Sequence, residues 1–301
     1  MKSWFNHPLL YVLILSQSLF SQINKEYTYS TEKEYDKQRQ KYPQITIAIQ
    51  KATPNIVEEQ KDIVYQNING RKLSLDSYIP KAQGKFPALI LVHGGGWKSG
   101  DKSMMQSISR KIASYGYNCF AVEYRLSDEV RYPAAIDDIL AAKKFITEKA
   151  NLYKTDTTNI ALLGCSSGGQ IVSLIGTKFS NGIKLVINLD GILAFHHPES
   201  EEGYLASHWL GGNYEEKPAI WEDASALTHV HKNMPPFLFI NSQFNRFHAG
   251  RDEMTEKMKQ FQIETAVKTI EDSPHTFWLF HPWFDTTIGY IIPFLDRILK
   301  S

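Results

Sequence analysis

The turn Gly164-Cys165-Ser166-Ser167-Gly168 constrains this chain more than any other stretch. It follows the apolar run 160–163, which predicts a short buried strand, and it precedes residues 170–175, which predict a helix. A serine at the centre of a sharp strand-to-helix turn takes a strained backbone conformation, and only glycine-sized residues fit two positions to either side. We therefore predict that the hydroxyl of Ser166 is lifted clear of the sheet and acts as a nucleophile.

Apolar runs alternate with helical patterns over the rest of the chain. Asn69-Gly70 lies between the strand-like runs 63–65 and 73–78 and predicts an antiparallel hairpin. Further strands are predicted at 86–92, 118–124, 184–189, 236–241 and 264–269, and helices at 102–114, 133–149 and 288–299. This order predicts an α/β fold with a mostly parallel, doubly wound sheet that is opened by an antiparallel hairpin and covered by helices on both faces.

The first 22 residues have the pattern of a secretory signal peptide. Lys2 supplies a positive start, the apolar run 9–15 is too short to span a bilayer, and small residues precede a cleavage site near Ser21 or Gln22. The pattern predicts a secreted or periplasmic protein without a stable membrane anchor. A buried N-terminal helix is the alternative interpretation.

Charge and cysteine content narrow the function classes. The formal net charge is +1, and basic residues alternate with acidic ones, which argues against a nucleic-acid partner. The two cysteines, Cys119 and Cys165, lie in apolar runs, so we expect buried free thiols and no disulfide. No histidine pair has the spacing of a metal site, and we predict neither a metal nor an organic cofactor.

The run His93-Gly94-Gly95-Gly96-Trp97 directly follows the buried strand 86–92. Attack of a serine on an ester carbonyl builds negative charge on one oxygen, and backbone N–H groups of glycine can approach that oxygen without obstruction. We predict that Gly95 and Gly96, together with the N–H of Ser167, form an oxyanion hole. We expect His93 to organise the loop and Trp97 to border the site rather than to be fully buried.

A general base is expected after the last strand, where a side chain can hang over the nucleophile. His275 lies there, in Asp272-Ser273-Pro274-His275, and we predict that it is the base. The third member of such a triad is a carboxylate, but the loop 243–250 after the next-to-last strand contains none. Asp252 is the first acid beyond that loop and is preferred, and Asp190, which ends the strand after the nucleophile helix, is the open alternative.

Taken together, these motifs resemble those of the α/β-hydrolase superfamily, close to the hormone-sensitive-lipase-like and feruloyl-esterase-like carbohydrate esterases. The resemblance rests on residues 93–97, 123–126 and 132–138, on the serine turn and on Ser273-Pro274-His275. It implies a catalytic α/β-hydrolase domain at 61–301, which follows the predicted signal peptide at 1–22 and an extension at 23–60. The segments 246–252 and 275–284 also resemble those of secreted pectin or acetyl esterases, and this resemblance implies a serine carboxylesterase acting on acyl or methyl esters of plant polysaccharides.

The substrate side of the site is less constrained by sequence. Phe277, Trp278, Phe280, Trp283 and Phe284 could form a platform for sugar rings near His275, or they could pack under the terminal helix. Arg246 and Arg251 could bind uronate carboxylates, or could bond the acid of the triad. A serine peptidase of the same superfamily and a non-catalytic binding module of this fold are the alternative functions.

Overall fold

The computed structural model describes residues 29–300 of the 301-residue chain. Its strands are β1 (Thr46–Ile47), β2 (Val57–Ile68), β3 (Arg71–Pro80), β4 (Phe86–Val92), β5 (Asn118–Val122), β6 (Thr155–Cys165), β7 (Leu185–Leu189), β8 (Phe237–Asn241), β9 (Thr265–Thr269) and β10 (Phe280–His281). Its α-helices are α1 (Thr31–Gln38), α2 (Gln106–Ala113), α3 (Ala134–Glu148), α4 (Ser167–Lys178), α5 (Gly203–Leu210), α6 (Pro218–Ala224), α7 (Arg251–Gln260) and α8 (Trp283–Leu299).

Eight strands form one sheet in the order β2-β3-β5-β4-β6-β7-β8-β9. The hairpin β2–β3 and the pair β3–β5 are antiparallel, and every later neighbouring pair is parallel. The predicted fold class is therefore confirmed. Because the parallel strands all end at one edge, the residues that follow β4, β6, β7, β8 and β9 meet there.

Strand β4 shows why the apolar runs predict strands that are covered on both faces. Ile90 and Val92 belong to one hydrophobic cluster, whereas Leu89 and Leu91 belong to a second one. Successive side chains of a strand point to opposite faces, so the two clusters are the two layers of the core. Helices α3, α4 and α7 contribute to the first cluster, and α2 and α8 to the second.

Several element bounds differ from the predicted ones. Strand β2 begins at Val57, four residues before the predicted start of the catalytic domain at residue 61, and α8 begins at Trp283 rather than at 288. Helices α1, α5, α6 and α7 and the short strands β1 and β10 were not predicted. Cys119 and Cys165 are buried free thiols, as expected, on β5 and β6.

The N-terminal segment 29–56 packs on the domain. Strand β1 pairs antiparallel with β10, and the backbone N–H of Ala48 donates to the carbonyl of Leu279 at 2.8 Å. The predicted signal peptide lies outside the described residues, so it and the export of the protein stay predictions. Within residues 29–300, the longest apolar helices fall short of what a bilayer crossing requires.

The serine turn packs backbone against backbone. A Cβ added at Gly164 would lie 2.1 Å from the carbonyl oxygen of Gly168, and one added at Gly168 would lie 2.2 Å from the carbonyl oxygen of Val92. Both distances are far below van der Waals contact. The first turn of α4 therefore lies directly on the ends of β6 and β4.

We expect Gly164→Ala to lower the free energy of unfolding by about 3 kcal/mol or more, because rigid backbone cannot yield to the added methyl group. The matched control is Gly289→Ala in α8, where an added Cβ meets nothing within 4 Å. That change should raise stability by up to about 1 kcal/mol, since alanine is the better helix former. Urea unfolding curves of both variants check this, and equal midpoints would contradict it.

Candidate active site

Ser166, His275 and Asp190 form a continuous hydrogen-bonded chain at the carboxyl edge of the sheet. Nε2 of His275 lies 2.9 Å from Oγ of Ser166, and Nδ1 of His275 lies 2.9 Å from Oδ2 of Asp190. A carboxylate only accepts hydrogen bonds, so Nδ1 carries the proton and Nε2 is free to accept the proton of the serine hydroxyl. The arrangement is that of a nucleophile, a general base and an orienting acid.

Ser166 has the strained backbone that the turn requires. Its φ is 53° and its ψ is −123°, a region that residues with a side chain rarely occupy. Its backbone N–H donates to the carbonyl of Leu189 at 2.8 Å, which ties the turn to the end of β7. The side chain stands partly exposed at the rim while both neighbouring elements are buried.

The preference for Asp252 as the acid is wrong in geometry. Asp252 lies in the first turn of α7, its side chain is 78% exposed, and its carboxylate pairs with Arg251. Asp190, the alternative, has a fully buried side chain and accepts hydrogen bonds from His275, from the backbone N–H of Ser242 and from the Ser242 hydroxyl. The acid thus follows β7 and reaches across the end of β8.

A buried asparagine two residues earlier holds the turn that carries Asp190. Oδ1 of Asn188 accepts from the N–H of Gly191 at 2.7 Å, and its Nδ2 donates to the carbonyl of Gly191 at 2.9 Å. Asp190 itself has a positive φ of 51°. A polar residue inside the apolar run 185–189, directly before an Asp-Gly pair, was the sequence signal for this acid.

The predicted oxyanion donors border the nucleophile. Gly96 and Ser167 line a small cavity with Ser166, and Gly95 lines the larger groove on the other side of Ser166. Among residues 29–300, neither Gly95 nor Gly96 uses its N–H in an internal hydrogen bond, and Ser167 is the first residue of α4, so its N–H has no partner within the helix. Three backbone donors are therefore available at this rim.

His93 is placed as a loop organiser, as expected. It is buried, its Nδ1 donates to the carbonyl of Gly94 at 2.8 Å, and its ring stacks on Tyr124. Burial lowers the pKa of His93, which keeps it neutral. Trp97 departs from expectation, because it is only 2% exposed and its indole N–H donates to Gln170. Trp97 forms the buried back wall of the small cavity rather than an open border.

The aromatic segment 277–284 is core and not a sugar platform. Phe277, Trp278, Phe280, Trp283 and Phe284 are all buried in the cluster under α8. Trp278 packs edge-on against the ring of His275 at 5.4 Å between centroids. It therefore supports the base, and it lines neither the small space beside Ser166 nor the large groove.

The aromatic residue that does face the site is Phe247, which the sequence analysis did not single out. Its ring stacks on His275 with centroids 3.5 Å apart and lines both the cavity and the groove. Arg246 lines the groove and pairs with Glu201 at 2.8 Å, and its role in substrate binding stays a prediction. Arg251 instead bonds Asn241 and Asp252.

Two further ionisable groups near the triad were also missed. Burial raises the pKa of Glu202, which lines both the cavity and the groove beside Ser166, and the positive charge of Arg246 opposes that shift. Burial and the positive charge of Arg251 lower the pKa of His248 to about 4. His248 lies 3.9 Å from the carboxylate of Asp190.

Ser166 stands between two spaces of very different size. The small cavity, about 20 Å³, is lined by Gly96, Trp97, Ser166, Ser167, Asp190, Ile192, Glu202 and Phe247. The groove, about 760 Å³, contains His275 together with Pro274 and Thr276, and its far wall is formed by α1. Over residues 29–300, no group of histidine, cysteine and carboxylate side chains is arranged to hold a metal ion.

A family model named BD-FAE matches residues 75–247, which is more than half of the chain. The chain belongs to the BD-FAE family. The matched range contains the glycine run, the serine turn and Asp190, and it ends before His275. Together with the esterase relatives and structures described next, this match confirms the predicted resemblance to α/β-hydrolase esterases of the hormone-sensitive-lipase type and the prediction of a serine carboxylic ester hydrolase.

Relatives with curated names agree with this assignment. The chain is 25% identical to the esterase LipC of Mycobacterium tuberculosis. The alignment covers 52% of this chain and 43% of LipC. It is 24% identical to the versiconal hemiacetal acetate esterase of Dothistroma septosporum, covering 73% of this chain and 75% of the relative. The alignment thus spans less than half of LipC and three quarters of the fungal enzyme.

Esterases are among the solved structures that superpose on this chain. A truncated carbohydrate esterase from gut microbiota superposes with a TM-score of 0.71 at 16% identity, covering 84% of this chain and all of that one. At such low identity the likeness shows the fold alone.

We expect Asp190→Asn in this BD-FAE esterase to lower kcat on p-nitrophenyl acetate by about 10³- to 10⁴-fold, because an amide cannot hold His275 in the productive tautomer. Asp252→Asn is the matched control, since that carboxylate touches only Arg251. It should keep kcat within about twofold of the parent. The reverse ranking would restore Asp252 as the acid.

We also expect His248 to make stability depend on pH. Its folded pKa of about 4 lies below the ordinary value of 6.5, so the unfolded chain binds a proton first as pH falls. The contribution is complete above about pH 6.5 and is lost as pH falls towards 4, and it is worth up to about 3 kcal/mol. Urea unfolding at pH 7 and pH 4.5 should show a smaller loss for His248→Asn than for the parent.

Proposed function

We propose that this esterase removes short acyl groups, acetyl above all, from carbohydrate esters through an acyl-enzyme on Ser166. The observation that carries the proposal is the chain Ser166–His275–Asp190, with 2.9 Å at each step, set between a methyl-sized cavity and a long groove. The triad supplies the chemistry. The cavity and the groove supply the choice of substrate.

In the first half-reaction, Oγ of Ser166 forms a bond to the ester carbonyl carbon while Nε2 of His275 accepts the hydroxyl proton. The electron pair of the carbonyl moves onto its oxygen, and the N–H groups of Gly95, Gly96 and Ser167 stabilise that charge. Asp190 holds the imidazolium that results. The tetrahedral intermediate then collapses, the bond to the alkoxy oxygen breaks, and His275 returns the proton to the departing alcohol.

In the second half-reaction, water takes the place of the alcohol. The oxygen of a water molecule attacks the acyl carbon while His275 accepts a proton from that water. The bond between the acyl carbon and Oγ of Ser166 then breaks. His275 gives the proton back to Ser166, and the carboxylic acid leaves. Each proton and each bond is restored, so the enzyme ends as it began.

The position of His275 assigns the two halves of the substrate. The base must protonate the leaving alcohol, and His275 lines the groove but not the small cavity, so the alcohol lies in the groove and the acyl group in the cavity. A cavity of about 20 Å³ holds roughly one water-sized group, since a single water needs about 10–15 Å³. This space fits the methyl of an acetyl group and not a feruloyl ring.

The same assignment favours acyl esters over methyl esters of the polymer. A methyl ester would put the polymer on the acyl side, where the cavity walls Trp97, Ile192 and Phe247 leave no room. A sugar hydroxyl as leaving group instead places the bulky part in the groove. The truncated carbohydrate esterase from gut microbiota, which has the same fold, is compatible with this choice.

We expect Ser166→Ala to lose at least about 10⁴-fold in kcat on p-nitrophenyl acetate and to lose labelling by a fluorophosphonate probe, because the nucleophile is gone. In the parent, kcat/KM should fall steadily from the acetate to the butyrate and the octanoate. Undiminished hydrolysis by Ser166→Ala would reject the mechanism.

A substitution in the cavity wall tests whether the acyl group lies in the small cavity. Ile192→Ala removes three carbon atoms from the cavity wall and should shift the preference from acetate towards butyrate. Leu152→Ala is the matched control, since Leu152 is an exposed aliphatic residue before β6, at the opposite edge of the sheet. An unchanged acyl preference in Ile192→Ala would place the acyl group elsewhere while leaving the triad assignment intact.

A further inference from the structure

The groove beside the triad carries more positive than negative charge. Its basic side chains are Lys33, Lys37, Lys41, Lys98 and Arg246. Its acidic side chains are Glu34 and Glu202. The whole chain has a net charge of only +1, so the basic character is a local property of this groove. A cleft whose side chains carry mostly one sign of charge raises the local concentration of ligands with the opposite charge.

One wall of the groove is built by α1 and the turn after it. Lys33 and Lys37 lie four residues apart on one face of α1, and Lys41 lies in the turn after the helix. Lys37 is 71% exposed and stands 3.6 Å from Glu34. The ammonium of Lys41 lies over the rings of Tyr42 and Phe244.

Acids in and beside the groove offset part of this charge, since Arg246 pairs with Glu201 and Lys98 pairs with Asp128. Glu34 is buried and accepts hydrogen bonds from Thr276 and Gln38, both at 3.4 Å, so it is engaged in holding α1 against the loop of the base. Glu202 lies at the bottom of the groove beside Ser166, away from α1. The outer part of the groove therefore presents Lys37 and Lys41 to an incoming ligand, and Arg246 can exchange its pair with Glu201 for a carboxylate of that ligand.

Aromatic rings line the same groove as these charges. They belong to Tyr29, Phe244 and Phe247, and to Tyr42, which is largely buried. The flat C–H faces of sugar rings pack on aromatic side chains, while carboxylates on those rings pair with ammonium and guanidinium groups. Rings and charges in one groove match a polymer that has both.

We propose that the groove binds a polyuronate, so that the leaving alcohol is a hydroxyl of an acidic oligosaccharide whose carboxylates pair with Lys37, Lys41 and Arg246. This rests on the proposed function in one respect, namely that His275 marks the groove as the side of the alcohol. Helix α1, which lies outside the BD-FAE match, is then part of the substrate site.

The test compares acetylated oligogalacturonate with acetylated xylo-oligosaccharide, which carries no charge. In the full chain, Lys37→Glu/Lys41→Glu should raise KM for the anionic substrate about tenfold more than KM for the neutral one. Lys37→Gln/Lys41→Gln should have a smaller effect in the same direction. Raising the salt concentration should weaken binding of the anionic substrate by the parent, because these charges are exposed.

The matched control is Lys149→Glu/Lys184→Glu, which makes the same change of net charge. Lys149 follows α3 and Lys184 precedes β7, so both exposed residues lie at the edge of the sheet opposite the site. This control should leave both KM values unchanged. An equal effect of the two double variants would overturn the proposal, since it would trace the change to net charge alone.

A binding measurement separates this proposal from the catalytic one. Ser166→Ala protein should bind unacetylated oligogalacturonate in a calorimeter, and Lys37→Glu/Lys41→Glu on the same background should bind it about tenfold more weakly. Binding without any ester hydrolysis by the parent would support the groove and reject the proposed activity. Hydrolysis of acetyl esters with equal KM for charged and neutral substrates would do the reverse.

Discussion

The contact of the first turn of α4 with the ends of β6 and β4 is the constraint on which the site depends. Gly164 and Gly168 let backbone lie on backbone there, and the strain this imposes on Ser166 is held by its N–H bond to Leu189. The same contact puts the N–H of Ser167 beside the glycine loop that follows β4. This one packing contact therefore positions both the nucleophile and the oxyanion donors.

The base is held from the other side by residues distant in sequence. Trp278 packs edge-on against His275, Phe247 stacks on its open face, and Asp190 orients its Nδ1 from a buried position. Thr276, the next residue, bonds Glu34 of α1. The N-terminal segment therefore supports the loop of the base and forms the groove wall, so that structural and binding roles coincide in one short stretch.

Much of the fold follows from local pattern. The run 86–92 is apolar throughout and the runs 184–189 and 236–241 are mostly apolar, and such runs have few alternatives to a strand covered on both faces. The Asn69-Gly70 hairpin and the serine turn are equally local, because positive φ and absent side chains are properties of single residues. The acid was misjudged because the choice followed chain order: Asp252 is the first acid after β8, where an acid was expected, whereas Asp190 follows β7 and reaches His275 only in the folded protein.

The sequence by itself determined the order of strands and helices, the nucleophile, the base and the glycine loop, because each depends on residues close together in the chain. The tertiary structure alone decided that Asp190 reaches His275, that Trp97 and Trp278 are buried, and that α1 borders the groove. Those outcomes depend on which surfaces meet across the end of the sheet. These contacts form between segments that are distant in the sequence, so no local sequence pattern predicts them.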